Sequence, residues 1–399
     1  MSTIMRYYIG NVFVSLRVAL TALWMVGYWA PKQLTEWKKT GFFCYGVTWY
    51  MVQIGFVALS QIADLIKIWG NFSLMTATAF LLFTKVAVTV KIFNLILRND
   101  TIREIVDECN QELESEGKEA GSAEGEVIIS SEIETRNLSS SFAVLSMLTV
   151  CSWAAAAEKN QLPLRAWYPW DTTKSPAYEL TFAYQIVIGS IAAAMNNGVD
   201  AVAIALIGQC RCRLQLIALA LRNLCQGLEP GEYKLMSSEQ DKILRSRLIT
   251  CIKKHQAALQ SAKRLQACFS LPFLAQFAAS VVVICVSGYQ LAFEAWKPFR
   301  LMAMVSYLLA MMVQVFLYCY QGHFLIEDST YLVNAACESP WYTLSVSSRR
   351  LLVIMMIRAK TATKLTACGL FDLSFQTYMA ILKASYTFFT MLQQVVVRE

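Results

Sequence analysis

Charge is the scarcest commodity in this sequence. Asp, Glu, Lys and Arg make up 16% of its 399 residues and hydrophobic residues 56%, where a soluble domain holds roughly 25% charged and about 45–50% apolar residues. A soluble fold of this size needs more polar surface to cover its exterior. An ordinary cytosolic enzyme and a disordered regulator are both excluded. Histidine is nearly absent: His255 and His323 are the pair, they cannot build a metal centre alone, and Cys210-Arg-Cys212 is too sparse to help. The chain has no Gly-x-x-x-x-Gly-Lys loop, no Gly-x-Ser-x-Gly elbow and no His-Glu-x-x-His pair. A catalytic reading therefore has nothing to stand on, and neither a cofactor nor a nucleic-acid partner is expected. No internal repeat is visible, although a secondary transporter would carry one.

What the sequence has is long apolar runs. A membrane-crossing helix needs about 20 mostly apolar residues. Uncharged windows occur at Thr40–Ala63, Ile68–Thr84, Asn137–Ala157, Leu180–Val199, Leu265–Phe293 and Leu301–Ile326, and Leu373–Val397 adds a seventh, broken only by Lys383. The second window continues past Lys85 and Lys91 to Leu97, so those lysines must face protein or snorkel. Val18–Pro31, with 14 uncharged residues, is too short to cross and reads as an interfacial or re-entrant helix. Arg6 and Arg17 interrupt the opening stretch, so no cleavable signal sequence is expected. The predicted fold class is all-α: a seven-transmembrane helical membrane protein.

Orientation follows from the basic residues of the loops. Segments 1–39, 98–136, 211–264 and 321–350 together hold 22 Lys and Arg, and the alternate set at 64–71, 158–179, 294–300 and the tail holds 7. The richer set is expected to be cytoplasmic, which puts the N-terminus inside and the C-terminus outside. None of the 12 Cys lies in the three outer loops, so no external disulfide is expected there. Of the sequons at Asn71, Asn99 and Asn137, Asn71 alone falls outside on this topology and is the candidate for glycosylation.

The hydrophobic pattern outlasts the bilayer. Leu206–Leu224, Lys242–Arg264 and Leu351–Leu365 keep apolar residues at helical spacing while taking on Arg211, Arg213, Arg222, Arg358, Lys360 and Lys364. They read as helices packed into a cytoplasmic anchor bundle; separate amphipathic helices lying on anionic lipid are the alternative. Gly227–Gly231 reads as a turn and Glu112–Glu126 as a flexible loop. The expected organisation is an N-terminal segment (1–39) and spans one to six with the ligand pocket (40–326, including the extensions 206–264). An anchor part (327–372) and a last span with the C-terminus (373–399) follow.

Two constellations could carry function. In the last span Gln376, Ala380, Lys383, Thr387, Thr390 and Gln394 share one face, with Phe375, Tyr378, Leu382, Phe389, Leu392 and Val396 opposite. A polar stripe with a lysine is expensive in lipid unless it meets water or partners. Copies around an axis would make a wet pathway with Thr390 and Met391 as its collar; packing within the subunit is the rival. The second constellation is Phe80, Phe83, Thr84, Ser146, Met147, Thr149, Val150, Trp153 and Tyr307, at similar depth on different spans. It could line an apolar, aromatic cavity for a small hydrophobic ligand, or be plain core. In the fourth span Asp200 suits structural hydrogen bonding, while Asn196 and Asn197 suit either packing or ligand contact.

At this point the sequence resembles the insect odorant receptors. The closing run Leu373-Ser-Phe-Gln-Thr-Tyr-Met-Ala-Ile-Leu-Lys-Ala-Ser-Tyr-Thr-Phe-Phe-Thr-Met-Leu-Gln394 is similar to that family's C-terminal signature. The run Leu162-Pro-Leu-Arg-Ala-Trp-Tyr-Pro-Trp-Asp171 with Ser175-Pro-Ala-Tyr-Glu179 is a second hallmark, and Asp200 leading into Gln209 and Leu216 a weaker third. The resemblance implies a ligand-gated, non-selective cation channel subunit in the plasma membrane of olfactory sensory neurons. Four subunits would surround one pore, each giving its last helix to the lining, with gate positions at Thr390, Met391 and Gln394. A small volatile odorant would bind within the bundle, with Ser146, Thr149 and Trp153 at family pocket positions. The chain lacks the longer insertion between spans four and five that marks the shared co-receptor, which implies an odorant-tuned subunit assembling with that co-receptor as a heterotetramer. A gustatory receptor of the same superfamily and a G-protein-coupled receptor are the rivals; the latter needs an outer N-terminus, and this chain has neither Asp-Arg-Tyr nor Asn-Pro-x-x-Tyr.

Overall fold

The computed structural model describes residues 14–30, 35–70, 72–119, 122–157, 162–172, 174–228, 238–293 and 298–396. Helix dominates them. In chain order they form α1 (Val14–Met25), α2 (Glu36–Tyr50), a π-helical turn (Met51–Phe56), α3 (Val57–Lys67), α4 (Phe72–Leu97), α5 (Asn99–Glu119) and α6 (Ser122–Ala156). Then come α7 (Ala177–Arg222), α8 (Ser238–Phe293), α9 (Pro298–Glu338), α10 (Val346–Ala359) and α11 (Phe375–Val396). Five helical stretches (Trp37–Lys67, Ala123–Ala156, Ala177–Arg222, Glu239–Phe293 and Pro298–Glu338) are long and apolar enough to cross a membrane. At 1.5 Å per residue, α4 and α11 reach ~39 and ~33 Å, enough to complete a set of seven.

Helices α7, α8 and α9 run on past membrane length to 46, 56 and 41 residues. Their continuations pack together with α5, α6 and α10 at what we call the basal end. Leu206, Cys210, Leu214, Ile217 and Leu221 of α7 are buried there with Leu244 and Leu248 of α8 and Leu325 and Leu332 of α9. These faces meet protein, so they form a bundle rather than lipid-lying helices. Arg211 joins it from inside: its guanidinium donates to Glu134 (2.7 Å), Asp328 (2.9 Å) and Gln321 (2.8 Å).

One sequence expectation changes. The described residues of the Glu/Gly/Ser stretch 112–126 are helical rather than a loop: α5 runs to Glu119 and α6 begins at Ser122. Its composition is polar, yet Ile102, Ile105, Cys109 and Leu113 recur at helical spacing and are buried, and Arg213 pairs with Glu112 while Arg264 pairs with Glu108. Tertiary contacts thus override a weak local signal. A hairpin of two two-residue strands, Thr366–Ala367 against Phe371–Asp372, leads the chain from α10 to α11. The apolar segment at 18–31 forms α1, ends at Gly27 (φ +89°) and packs on α7 with Leu16 and Leu23 fully buried. The edge carrying Leu16, Ala19 and Leu23 is covered by protein, while Val18 and Met25 are exposed. The turn expected at 227–231 is described only to residue 228, where the chain turns after α7.

Candidate functional site

The first site is a cavity of about 190 Å³ between α4, α6, α7 and α9. Helical spacing builds each wall. Leu81, Thr84, Lys85 and Val88 supply one face of α4, and Phe142, Ser146, Thr149, Val150 and Trp153 one face of α6. Tyr307, Ala310, Met311 and Gln314 come from α9. On α7 the small residues Gly189, Ala192 and Ala193 leave the space open. Thr84 and Tyr307 share a hydrogen bond of 2.5 Å across the cavity wall.

Of the eleven residues expected at a ligand site, Thr84, Ser146, Thr149, Val150, Trp153, Asn196 and Tyr307 come together here. Phe83 and Met147 do not: each lies next to a lining residue in sequence, one helical step of about 100° off the lining face, and both are exposed. Asn197 is buried but lies off the cavity. The side chain of Phe80 and all of Asn71 lie outside the described residues.

Several lining residues escaped the sequence reading. Gln53, Val57 and Gln61 enter from the π-helical turn and α3, and Tyr184 and Gln185 from α7. The loop 162–172 closes the cavity with Pro163, Leu164, Ala166 and Tyr168. It is pinned at every few residues. Gln185 accepts from the Leu164 N–H (3.0 Å) and donates to the Leu164 carbonyl (2.8 Å) and the Tyr168 hydroxyl (3.1 Å). Arg165 donates to Asp64 (2.9 Å), the Trp167 N–H to the Ser60 carbonyl (3.1 Å), and Trp170 Nε1 to Thr181 (3.0 Å). Burial pushes the Tyr168 phenol up, partly offset by the bond from Gln185. The available signal was the aromatic Trp-Tyr-Pro-Trp run itself, too apolar for a free loop.

A charged network lies against the cavity. Lys91 donates to Asp200 (2.7 Å) and Asn196 (3.2 Å), and Gln314 and Tyr318 also donate to Asp200. Gln276 extends it by donating to Gln314 (2.8 Å). Asn196 and Gln314 belong both to this network and to the cavity wall. Lys91 and Asp200 are each 1% exposed, so removing either partner strands a buried charge.

The second site is α11. Gln376, Ala380, Lys383, Thr387 and Gln394 are exposed and Thr390 is half-buried, so the polar stripe is uncovered within its own subunit. Met391 beside it is 57% exposed. Lys383 makes no ion pair among the described residues. The opposite edge is seated: Thr377, Ile381 and Ser385 are buried. Phe375 and Tyr378 pack on Phe316 (ring centroids 6.0 and 5.5 Å), and His323 lies 4.3 Å from Phe375. Thus α9 lines the cavity with Met311 and holds α11 with Phe316.

Comparison with known proteins agrees with this architecture. The 7tm odorant receptor family profile matches residues 71–386. The chain belongs to the 7tm odorant receptor family. Membership makes it a receptor rather than an enzyme, and decides against the gustatory and G-protein-coupled rivals. Odorant receptor 46a, isoform A, of Drosophila melanogaster is 24% identical over 362 residues, covering 88% of this chain and 91% of that one. Odorant receptor 82a of the same fly is 23% identical, and the match spans 62% of this chain and 61% of that relative's length. The olfactory receptor OR5 of Machilis hrabei, solved in complex with eugenol, superposes with a TM-score of 0.79 at 16% identity, covering 95% of this chain and 97% of that one. The shared fold is the seven-transmembrane fold of insect olfactory receptors.

Proposed function

We propose that this receptor is the odorant-tuned subunit of a non-selective cation channel, opened when a small volatile hydrophobic molecule fills the cavity. The observation that carries the reading is that one helix, α9, forms a wall of the cavity and, with α8, the seat of the polar-edged helix α11. Four α11 helices around an axis turn Gln376, Lys383, Thr387, Thr390 and Gln394 toward a wet path, with Thr390, Met391 and Gln394 at its collar. In this reading the other subunits include the shared co-receptor, the N-terminus and basal bundle are cytoplasmic, and Asn71 faces outward as a glycosylation site. The segments 1–39, 40–326, 327–372 and 373–399 then act as entry helix, ligand bundle, anchor and pore. The cell is an olfactory sensory neuron and the site its plasma membrane.

The mechanism is a population shift. A ligand that fits better when α9 and α11 have moved outward stabilises the open pore by that difference in affinity alone. Apolar burial at about 25 cal/mol/Å² gives a small ligand only a few kcal/mol, so micromolar or weaker affinity is expected. The test is odorant-evoked cation current from this chain co-expressed with a co-receptor. Met391→Ala is expected to change permeation or gating, and Trp153→Ala to weaken the response to ligand. Unchanged permeation in the first would remove the collar assignment, and an unaffected response in the second the cavity assignment.

A further inference from the structure

The cavity is mostly apolar, with polar groups entering from several helices. Two lysines sit six residues apart on α4, and their circumstances differ. Lys91 is matched by Asp200. Lys85 lines the cavity with no carboxylate or hydrogen-bond acceptor for its ammonium among the described residues. On α3, which packs against α4, Asp64 is engaged by Thr78 (3.0 Å) and Arg165 (2.9 Å). Gln53 and Gln61, 2% and 1% exposed, line the cavity from the π-helical turn and from α3, which packs beside α4. The Gln53 amide nitrogen and the Gln61 amide oxygen are buried without partners. Buried amides left unmet are rare and costly, and an unpaired ammonium in an apolar cavity is costlier.

We infer that the side of the cavity formed by Lys85, Gln53 and Gln61 is a head-group site for a carboxylic acid, whose apolar tail lies toward Trp153, Tyr307 and Met311. The inference rests on the ligand-cavity reading above and names the ligand class for it. Complementarity decides between classes. The wall offers a cationic donor, an amide donor and an amide acceptor. A carboxyl group brings two acceptor oxygens, a negative charge for Lys85 when ionised and an O–H for Gln61 when not. An ester supplies acceptors only, and an alcohol neither charge nor a second oxygen. Charge-assisted hydrogen bonds are about twice as strong as neutral ones, so the acid is the preferred ligand.

The test compares hexanoic acid, methyl hexanoate and 1-hexanol on the full-length chain co-expressed with a co-receptor, reading current against concentration. The acid should act at a concentration about tenfold or more below the ester and alcohol. Lys85→Met should collapse that acid-to-alcohol ratio, and Lys85→Arg should restore part of it. Equal potency of the three compounds on the wild type, silence to all three, or an intact ratio in Lys85→Met overturns the head-group site. If Lys85→Met fails to reach the surface, the ratio is read on Gln53→Leu, where about a threefold fall or more supports the site and no change overturns it. Failure of the cavity reading itself looks different: Trp153→Ala and Tyr307→Ala would leave the response to all three compounds unaltered.

Discussion

The basal bundle and the cavity end are built from the same long helices and differ in how tightly they are packed and tied. At the basal end Arg211 reaches Glu134, Asp328 and Gln321, Gln215 adds a bond to Asp328 (3.1 Å), and Arg213 pairs with Glu112. The aliphatic residues between these ties are almost wholly buried. At the cavity end α7 thins to Gly189, Ala192 and Ala193, the space is open, and amide groups of Gln53 and Gln61 go unmet. The difference teaches a division of labour. A bundle whose buried arginines are paired and whose aliphatic residues are closely packed is stiff and suits holding helices in register. A bundle with a void has a second arrangement within reach once a ligand fills it.

Breaking the stiff half should cost most. Arg211→Met leaves Asp328 and Glu134 facing each other without a cation and is expected to destabilise by about 3–5 kcal/mol, seen as lost surface protein and a lower melting temperature. Gly322→Ala comes next. A Cβ there would overlap Leu373, where α9 passes the lead-in to α11, so about 1–3 kcal/mol is expected with reduced expression. Substitutions at the cavity end should spare folding and change ligand response. Trp153→Ala removes a large aromatic wall and should raise the effective odorant concentration about tenfold. Thr84→Val removes the hydrogen bond to Tyr307 and should shift it only about fivefold, since one neutral hydrogen bond is worth about 1 kcal/mol. Equal folding losses in both halves, measured by thermal melting of the purified variants, would erase the distinction.

The stiff half and the helix edges were legible in the sequence because both are written as periodicity. Leu206, Cys210, Leu214, Ile217 and Leu221 repeat at steps of three and four, and so do Gln376, Ala380, Lys383, Thr387, Thr390 and Gln394. Periodicity names a face but not what covers it. The helices across 112–126 were hidden because their polar composition argued for a loop, while Arg213 and Arg264, which hold Glu112 and Glu108, stand a hundred or more residues away. Residues on one helical face (Thr84; Ser146, Thr149, Val150 and Trp153) line the cavity, and their sequence neighbours Phe83 and Met147 do not. Gln53, Gln61, Tyr168 and Gln185 were missed because their place depends on how the first span and the 162–172 loop dock. No local pattern encodes that docking.

The central claim is that the polar edge of α11 faces a water-filled axis shared by neighbouring subunits. It is tested most directly by single cysteines along that helix, exposed to a charged, membrane-impermeant thiol reagent during odorant-evoked current and compared with the wild-type background. Lys383→Cys, Thr387→Cys and Gln394→Cys should lose current on modification, while Leu382→Cys and Phe389→Cys on the seated edge should not. Block at the seated edge with the polar edge unaffected, or no difference between the two, would contradict the account.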